Sequence, residues 1–383
     1  MSLALFSRVF GALLYLALPG QASALPSLPA VPGAPDVDAR NYVLIDPDSG
    51  QTLVEREADT QVPPASLTKL MTAYLTFEAL TQGKLRLNQP GMISVAAWKA
   101  GGSTMFLQPG LPVTVEQMIS GMVVVSGNDA AIALAETIAG DTASFVQMMN
   151  ATAHQLGMTR SHFDNVNGLP TPTHRVSAED IALLTENIIR QYPQYLHYFA
   201  QQSFTYNHVT QRNWNPLIFS DSSVTGMKTG HTDEAGYCLD ATATRNGQRL
   251  IAVVMGSRTR NDSARAAESL LNYGYRFFDT RHIYHAGQQI STLPDAWANP
   301  AQIAIGISRE IWVTLPIGHS AQLQYSLNLP AQLPLPLAKG QIVGSLILSD
   351  AGREIRRIPL VALQSVEKTN WLRHLWNVSR AFF

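Results

Sequence analysis

The stretch PPASLTKLMTAYLTFEAL, residues 63–80, decides how the rest of the chain is read. Pro63 and Pro64 open a predicted helix over Ala65–Leu80, since proline is tolerated in a first helical turn. Ser66 and Lys69 form an S-x-x-K pair and share a helix face one turn apart. A helix N-terminus presents free N–H groups and positive dipole, which favours negative charge developing at Ser66. A serine hydroxyl is a poor nucleophile until a base takes its proton. Lys69 can be that base only when neutral. Burial and a second ammonium nearby would both lower its pKa. Alone, the same four residues more often describe a helix cap with a solvated lysine.

Two further motifs follow in order. Ser126-Gly127-Asn128 falls in a break between two apolar helical runs within Thr114–Gly140. Such a turn can aim Ser126 to relay a proton to a leaving amine and Asn128 to hold a substrate amide. Lys228-Thr229-Gly230, followed by His231, reads as a strand entering a sheet edge. Gly230 would let a substrate backbone approach and pair as an added strand. Lys228 and Thr229 would hold an anionic group. Each motif is weak alone; the ordered set is a strong signal.

Working outward, Asn41–Asp46 and Thr52–Glu55 read as a hairpin around turn residues. Ser144–Leu156 is a predicted helix ending at Gly157, and Ser177-x-x-Asp180 a capping box opening a helix over Ala178–Tyr192. Gly236–Thr244 and Arg249–Gly256 are strands joined at Asn246-Gly247. Arg265–Phe278 is again helical. After Asp279 only short strands are predicted: 283–290, 301–307, 311–315, 321–327, 341–348 and 354–363. The fold class is therefore α+β, helices around an antiparallel sheet over residues 38–278, then a small all-β sandwich or barrel over 279–365.

The ends differ from the body. Met1–Ala24 reads as a secretory signal: Arg8, an apolar run Val9–Leu18, and Ala22-Ser23-Ala24 as a cleavage site. That run is too short to span a hydrocarbon layer of roughly 30 Å as a helix. Residues 25–37 form a linker with prolines at 26, 29, 32 and 35. Residues 366–383 read as an amphipathic anchor for a membrane surface. Trp371, Leu372, Leu375, Trp376, Phe382 and Phe383 recur near the helical period, with Lys368, Arg373, His374 and Arg380 on another face.

Composition excludes more than it names. The chain has 383 residues, 27 Lys+Arg against 28 Asp+Glu, and one cysteine, Cys238. The near-zero net charge argues against nucleic acid as a partner. A single cysteine excludes an intramolecular disulfide and a cysteine cage for zinc. Cys238 sits in an apolar strand and reads as core.

The ordered motifs resemble the penicillin-recognising serine acyltransferases, most closely the low-molecular-mass penicillin-binding proteins that are serine-type D-alanyl-D-alanine carboxypeptidases. The similar stretches are PPASLTKLMTAYLTFEAL (63–80), VVSGNDAAIALAETIAG (124–140), GMKTGHTDEAGYCL (226–239) and AESLLNYGYRFF (267–278). The resemblance implies the β-lactamase/transpeptidase-like fold and removal of the terminal D-alanine from peptidoglycan stem pentapeptides through an acyl-enzyme. It implies that Ser66 is acylated and Lys69 is its base, with Ser126 assisting. Asn128, Lys228 and Thr229 would meet the substrate, and the N–H groups of Ser66 and His231, just past Gly230, would form the oxyanion hole. It further implies an arginine for the terminal carboxylate. The R-x-A-E-S pattern points to Arg265, with Arg258 and Arg260 nearby. It also implies covalent inhibition by β-lactams, a role in peptidoglycan remodelling and cell shape, and a periplasmic place on the outer face of the cytoplasmic membrane. No cofactor or metal is expected; His162 and His174 beside Asp164 make a poor metal pattern.

Rival readings are a D,D-endopeptidase or β-lactamase on the same scaffold, or a non-catalytic wall-binding protein. A class A β-lactamase needs a deacylating glutamate, which the family carries in an E-x-x-x-N loop. Between Ser126 and Lys228 stand Glu136, Glu179 and Glu186, followed four residues on by Gly140, Leu183 and Arg190.

Overall fold

A computed structural model describes residues 31–319, 323–350 and 352–380. The expected signal segment and Phe382–Phe383 lie outside the described residues. From Pro32 onward the described chain forms one compact unit.

Five antiparallel strands make the first sheet, in the order Gln51–Arg56, Asn41–Asp46, Gln248–Ser257, Gly236–Arg245, Val224–Thr232. The outer strands come from distant parts of the chain, so Val224–Thr232 is left as an edge. The Lys69–Thr81 helix is buried almost throughout, which is why its sequence shows no polar face. Around it pack Val115–Val124, Asn128–Ala139, Thr142–Leu156 and Ala178–Gln191. Leu70, Met71, Phe77, Met118, Met122, Phe145 and Phe163 belong to this core and are buried.

Several boundaries differ from expectation, each for a local reason. The predicted Ala65 helix begins as a 3₁₀ turn, Ala65–Thr68, and becomes α-helical only at Lys69. The helix expected from Arg265 starts at Arg260, because the Thr259 side chain accepts the Asp262 N–H and caps it. At Ser177 only half the expected capping box forms. Ser177 accepts the Asp180 N–H, but the Asp180 carboxylate turns to Arg160 N (2.8 Å) and Ser161 Oγ (2.7 Å).

The all-β portion follows directly. Phe278–Tyr284 pairs with Ile311–Pro316, and a five-stranded sheet runs Leu323–Asn328, Ile342–Asp350, Arg353–Ala362, Gln302–Gly306, Gln289–Pro294. The single strand expected over 283–290 is thus split by a turn at His285–Gln288. Its apolar cluster, including Ile303, Ile311, Leu346, Leu348 and Leu360, is separate from the first. A buried polar junction joins the two. Asp46 accepts from Ser49 N (2.9 Å) and from Thr280 Oγ1, and Thr314 Oγ1 lies 2.7 Å from Ser49 Oγ and 2.9 Å from Thr280 Oγ1. Glu367–Lys368 pairs with Ala298–Asn299, so the terminal helix begins later than expected and, among the described residues, covers Trp371–Arg380.

Candidate active site

The turn carrying Ser66 is held in an unusual backbone conformation. Ala65 has φ of 47°, costly for a residue with a Cβ. Two neighbours fix it. Thr68 Oγ1 donates to Ala65 O (2.8 Å) and lies 2.9 Å from His174 Nε2. His174 Nδ1 accepts the Asp164 N–H (3.3 Å), and burial drives the His174 pKa down to about 4. The neutral imidazole therefore carries its proton on Nε2 and donates it to Thr68. Gly168 presses against the same turn; a Cβ there would stand 1.8 Å from Ala65 O. The loop carrying Asp164, Gly168 and His174 thus braces the turn that holds Ser66.

Lys69 is fully buried, and its Nζ reaches Ser66 Oγ (2.9 Å), Asn128 Oδ1 (2.7 Å) and Asn167 O (2.7 Å). Burial, reinforced by the Lys228 ammonium, holds its amine well below the ordinary lysine range; Asp129 pulls the other way. Asp129 is itself engaged by the N–H groups of Met105, Leu107 and Ala130. Asn128, expected to hold substrate, is buried with both amide ends engaged, Nδ2 donating to Gly101 O (2.7 Å). Its Oδ1 is the end that receives Lys69.

Ser126 sits in the expected break, with φ of 61°. Its Oγ receives a hydrogen bond from Lys228 Nζ (2.9 Å), which also donates to Thr229 O (2.8 Å). Lys228 is buried behind Ser126 rather than facing the cleft, and burial brings its pKa down to about 7. Lys228 thus reaches the cleft-lining Ser126 through its Nζ. Thr229, Gly230 and His231 do line the cleft. Gly230 backs onto the nucleophile turn, where a Cβ would lie 3.0 Å from Ser66 N. His231 stacks on Tyr237, ring centroids 3.9 Å apart.

The cleft itself has a volume of about 180 Å³. Besides Ser66, Ser126 and the edge strand, it is lined by Ser103, Trp214, Cys238, Arg260 and Ser263. Trp214 is anchored by Nε1–H to Val125 O (3.1 Å), and the Arg260 guanidinium lies over its ring at 4.1 Å. Arg265 is not brought to the cleft. It is exposed, one turn along the same helix, paired with Asp262, while Arg258 is paired with Asp38 (2.7 Å). The sequence pattern favoured Arg265 because the true helix start was not legible. Cys238 is core as expected and also faces the cleft, opposite Gly230 in the strand register.

This constellation is a serine acyl-transfer site of the penicillin-recognising kind. The D-alanyl-D-alanine carboxypeptidase family, peptidase S11, matches residues 29–259, and the penicillin-binding protein 5 C-terminal domain matches residues 278–368. The chain belongs to the D-alanyl-D-alanine carboxypeptidase family. It is 37% identical to D-alanyl-D-alanine carboxypeptidase DacA of Escherichia coli over 362 residues, 92% of this chain and 90% of that protein. It is 31% identical to DacF of Bacillus subtilis over 88% of each chain. Penicillin-binding protein 5 from Haemophilus influenzae superposes with a TM-score of 0.85 at 35% identity, covering 88% of this chain and 99% of that one. Activity and fold class follow: a serine-type D-alanyl-D-alanine carboxypeptidase with an α+β catalytic portion and an all-β C-terminal portion.

Proposed function

We propose that the chain removes the terminal D-alanine of peptidoglycan stem pentapeptides through an acyl-enzyme on Ser66. The observation that carries this is the buried amine of Lys69, 2.9 Å from Ser66 Oγ. Neutral Lys69 takes the Ser66 proton, and Ser66 Oγ attacks the carbonyl of the penultimate D-alanine. The N–H groups of Ser66 and His231 hold the oxyanion, worth about 3 kcal/mol per donor in comparable sites. Ser126, charged from behind by Lys228, passes a proton to the departing D-alanine amine. Water then attacks the ester, with Lys69 again as base, releasing the shortened peptide and restoring Ser66. The stem peptide pairs along the Val224–Thr232 edge. Arg260, in place of Arg265, meets the terminal carboxylate, a charge-assisted contact the substrate requires.

β-Lactams acylate the same serine and stay attached. Of the glutamates between Ser126 and Lys228, Glu136 bonds Ser94 Oγ (3.0 Å) and Glu186 pairs with Arg190 (3.0 Å); none lines the cleft, which disfavours rapid lactam hydrolysis. A penicillin-binding protein from Listeria monocytogenes with ampicillin bound, 29% identical over 64% of this chain at a TM-score of 0.59, supports that reading.

We also propose a signal peptide over residues 1–24, a linker to 37, a catalytic domain over 38–278, a β domain over 279–365 and an anchor from 366. Trp371, Leu372, Leu375 and Trp376 are exposed on the terminal helix. No helix among the described residues is long and apolar enough to cross a membrane. The exposed apolar face supports peripheral attachment to the outer leaflet of the cytoplasmic membrane, facing the periplasm, where trimming stem peptides bears on cell shape. Labelling with a fluorescent penicillin tests the chemistry: wild type takes a stable label and Ser66→Ala takes none. Label on Ser66→Ala would overturn the nucleophile.

A further inference from the structure

A second cluster of chemically active side chains lies away from the serine site. His282 stands near the end of the Phe278–Tyr284 strand, His285 in the turn after it, and Glu310 just before the Ile311–Pro316 strand. These strands pair antiparallel, with Ile311 opposite Tyr284 and Trp312 opposite His282. The register therefore carries all three side chains to one spot on a paired backbone. One carboxylate oxygen of Glu310 lies 2.5 Å from His282 Nε2 and 3.3 Å from His285 Nδ1. Its other oxygen accepts the Ala286 N–H at 3.0 Å, which fixes the carboxylate's orientation. The His282 ring packs against Trp312, centroids 4.6 Å apart, and its neighbour His285 lies 4.2 Å away.

We propose that His282, His285 and Glu310 form a binding site for a divalent first-row transition-metal ion, with zinc the ion that fits best. The three donor atoms already lie within 4.8 Å of one another. Around a tetrahedral zinc, donors at about 2.0–2.2 Å stand roughly 3.3 Å apart. The cluster reaches that spacing by small side-chain rotations, with the carboxylate opening away from His282. Two imidazoles and one carboxylate suit zinc, copper or nickel, whereas magnesium and calcium prefer all-oxygen shells. The Ala286 N–H and the Trp312 ring supply the outer contacts that orient ligands in established sites. His285 and Glu310 face solvent, so a remaining coordination position is open to water or to a donor from another molecule. The serine chemistry does not use this ion.

The test is calorimetric titration of zinc chloride into the tag-free full chain after chelator treatment and dialysis. One equivalent is expected to bind. His285→Ala and Glu310→Gln should each weaken binding at least about tenfold, with penicillin labelling and the melting temperature in chelator unchanged. His162→Ala, in the separate His162–Asp164 pair, should leave zinc binding unchanged. The proposal is overturned if no stoichiometric zinc binding occurs, if His285→Ala and Glu310→Gln leave it intact, or if the loss follows His162→Ala instead.

Discussion

In the proposed mechanism Lys69 is the base, and its environment gives a signed expectation. Burial and the Lys228 charge both favour its neutral form. Acylation should therefore persist at neutral pH and fall as acid protonates Lys69. Lys228→Ala removes the like charge, so the acidic limb of acylation rate against pH should move to higher pH, alongside a loss in rate from disturbing Ser126. A limb that stays put or moves lower would contradict the coupling. Arg260 gives a second expectation. Arg260→Ala should lower kcat/KM on a peptide ending in D-Ala-D-Ala by about 10- to 100-fold, the worth of a charge-assisted hydrogen bond. Arg265→Ala should stay within about twofold, since exposed Arg265 is held in a surface pair with Asp262 away from the cleft. Steady-state kinetics on both variants decide between them.

At the scale of elements, the strand–helix contacts hold a buried carboxyl that works against stability. Asp240, on the Gly236–Arg245 strand, receives a hydrogen bond from Thr185 Oγ1 on the Ala178–Gln191 helix, while its Oδ1 has no partner. Burial pushes its pKa up to about 7 from an ordinary 3.8. The folded state then binds more protons than the unfolded one across that window. Stability from this group is greatest below pH 4 and is lost as pH rises toward 7. His174, depressed to about 4, has the opposite slope between pH 4 and 6.5. The two partly cancel, so the difference between variant and wild type is the clean readout. Asp240→Asn should be more stable than wild type at pH 8, with the gain shrinking toward pH 4, measured by denaturant unfolding. Thr259→Ala should cost about 1 kcal/mol as a lost cap and also weaken substrate binding, because Arg260 is the first residue of that helix.

For the whole molecule, the terminal helix is both displayed and docked. Its apolar residues face outward, while His374 stacks on Trp297 at 3.8 Å and Asn377 Nδ2 donates to Ala296 O at 3.0 Å. A chain ending at Asn370 keeps the Glu367–Lys368 pairing. It should remain folded and label with penicillin, yet stay in the supernatant when mixed with anionic lipid vesicles, where the longer chain pellets. Co-sedimentation of the shortened chain would remove the helix as the anchor.

Much was legible in the residues because the signals are local. The S-x-x-K spacing, the Asn246-Gly247 hairpin, the Gly157 helix stop and the switch from helical to strand patterning after Asp279 depend on near neighbours in the chain. Those patterns determined the α+β order, the all-β continuation and the candidate nucleophile with its base. What the tertiary structure alone decided depends on distance in space. Lys228 stands 102 residues from Ser126, and Asn128 is 59 from Lys69; only folding brings each pair within hydrogen-bond distance. Arg260 gained its place over Trp214 through a helix cap no periodicity announces. His282, His285 and Glu310 converge because two strands pair in one register. Local propensity is written residue by residue, whereas charge, burial and convergence are set by which surfaces meet.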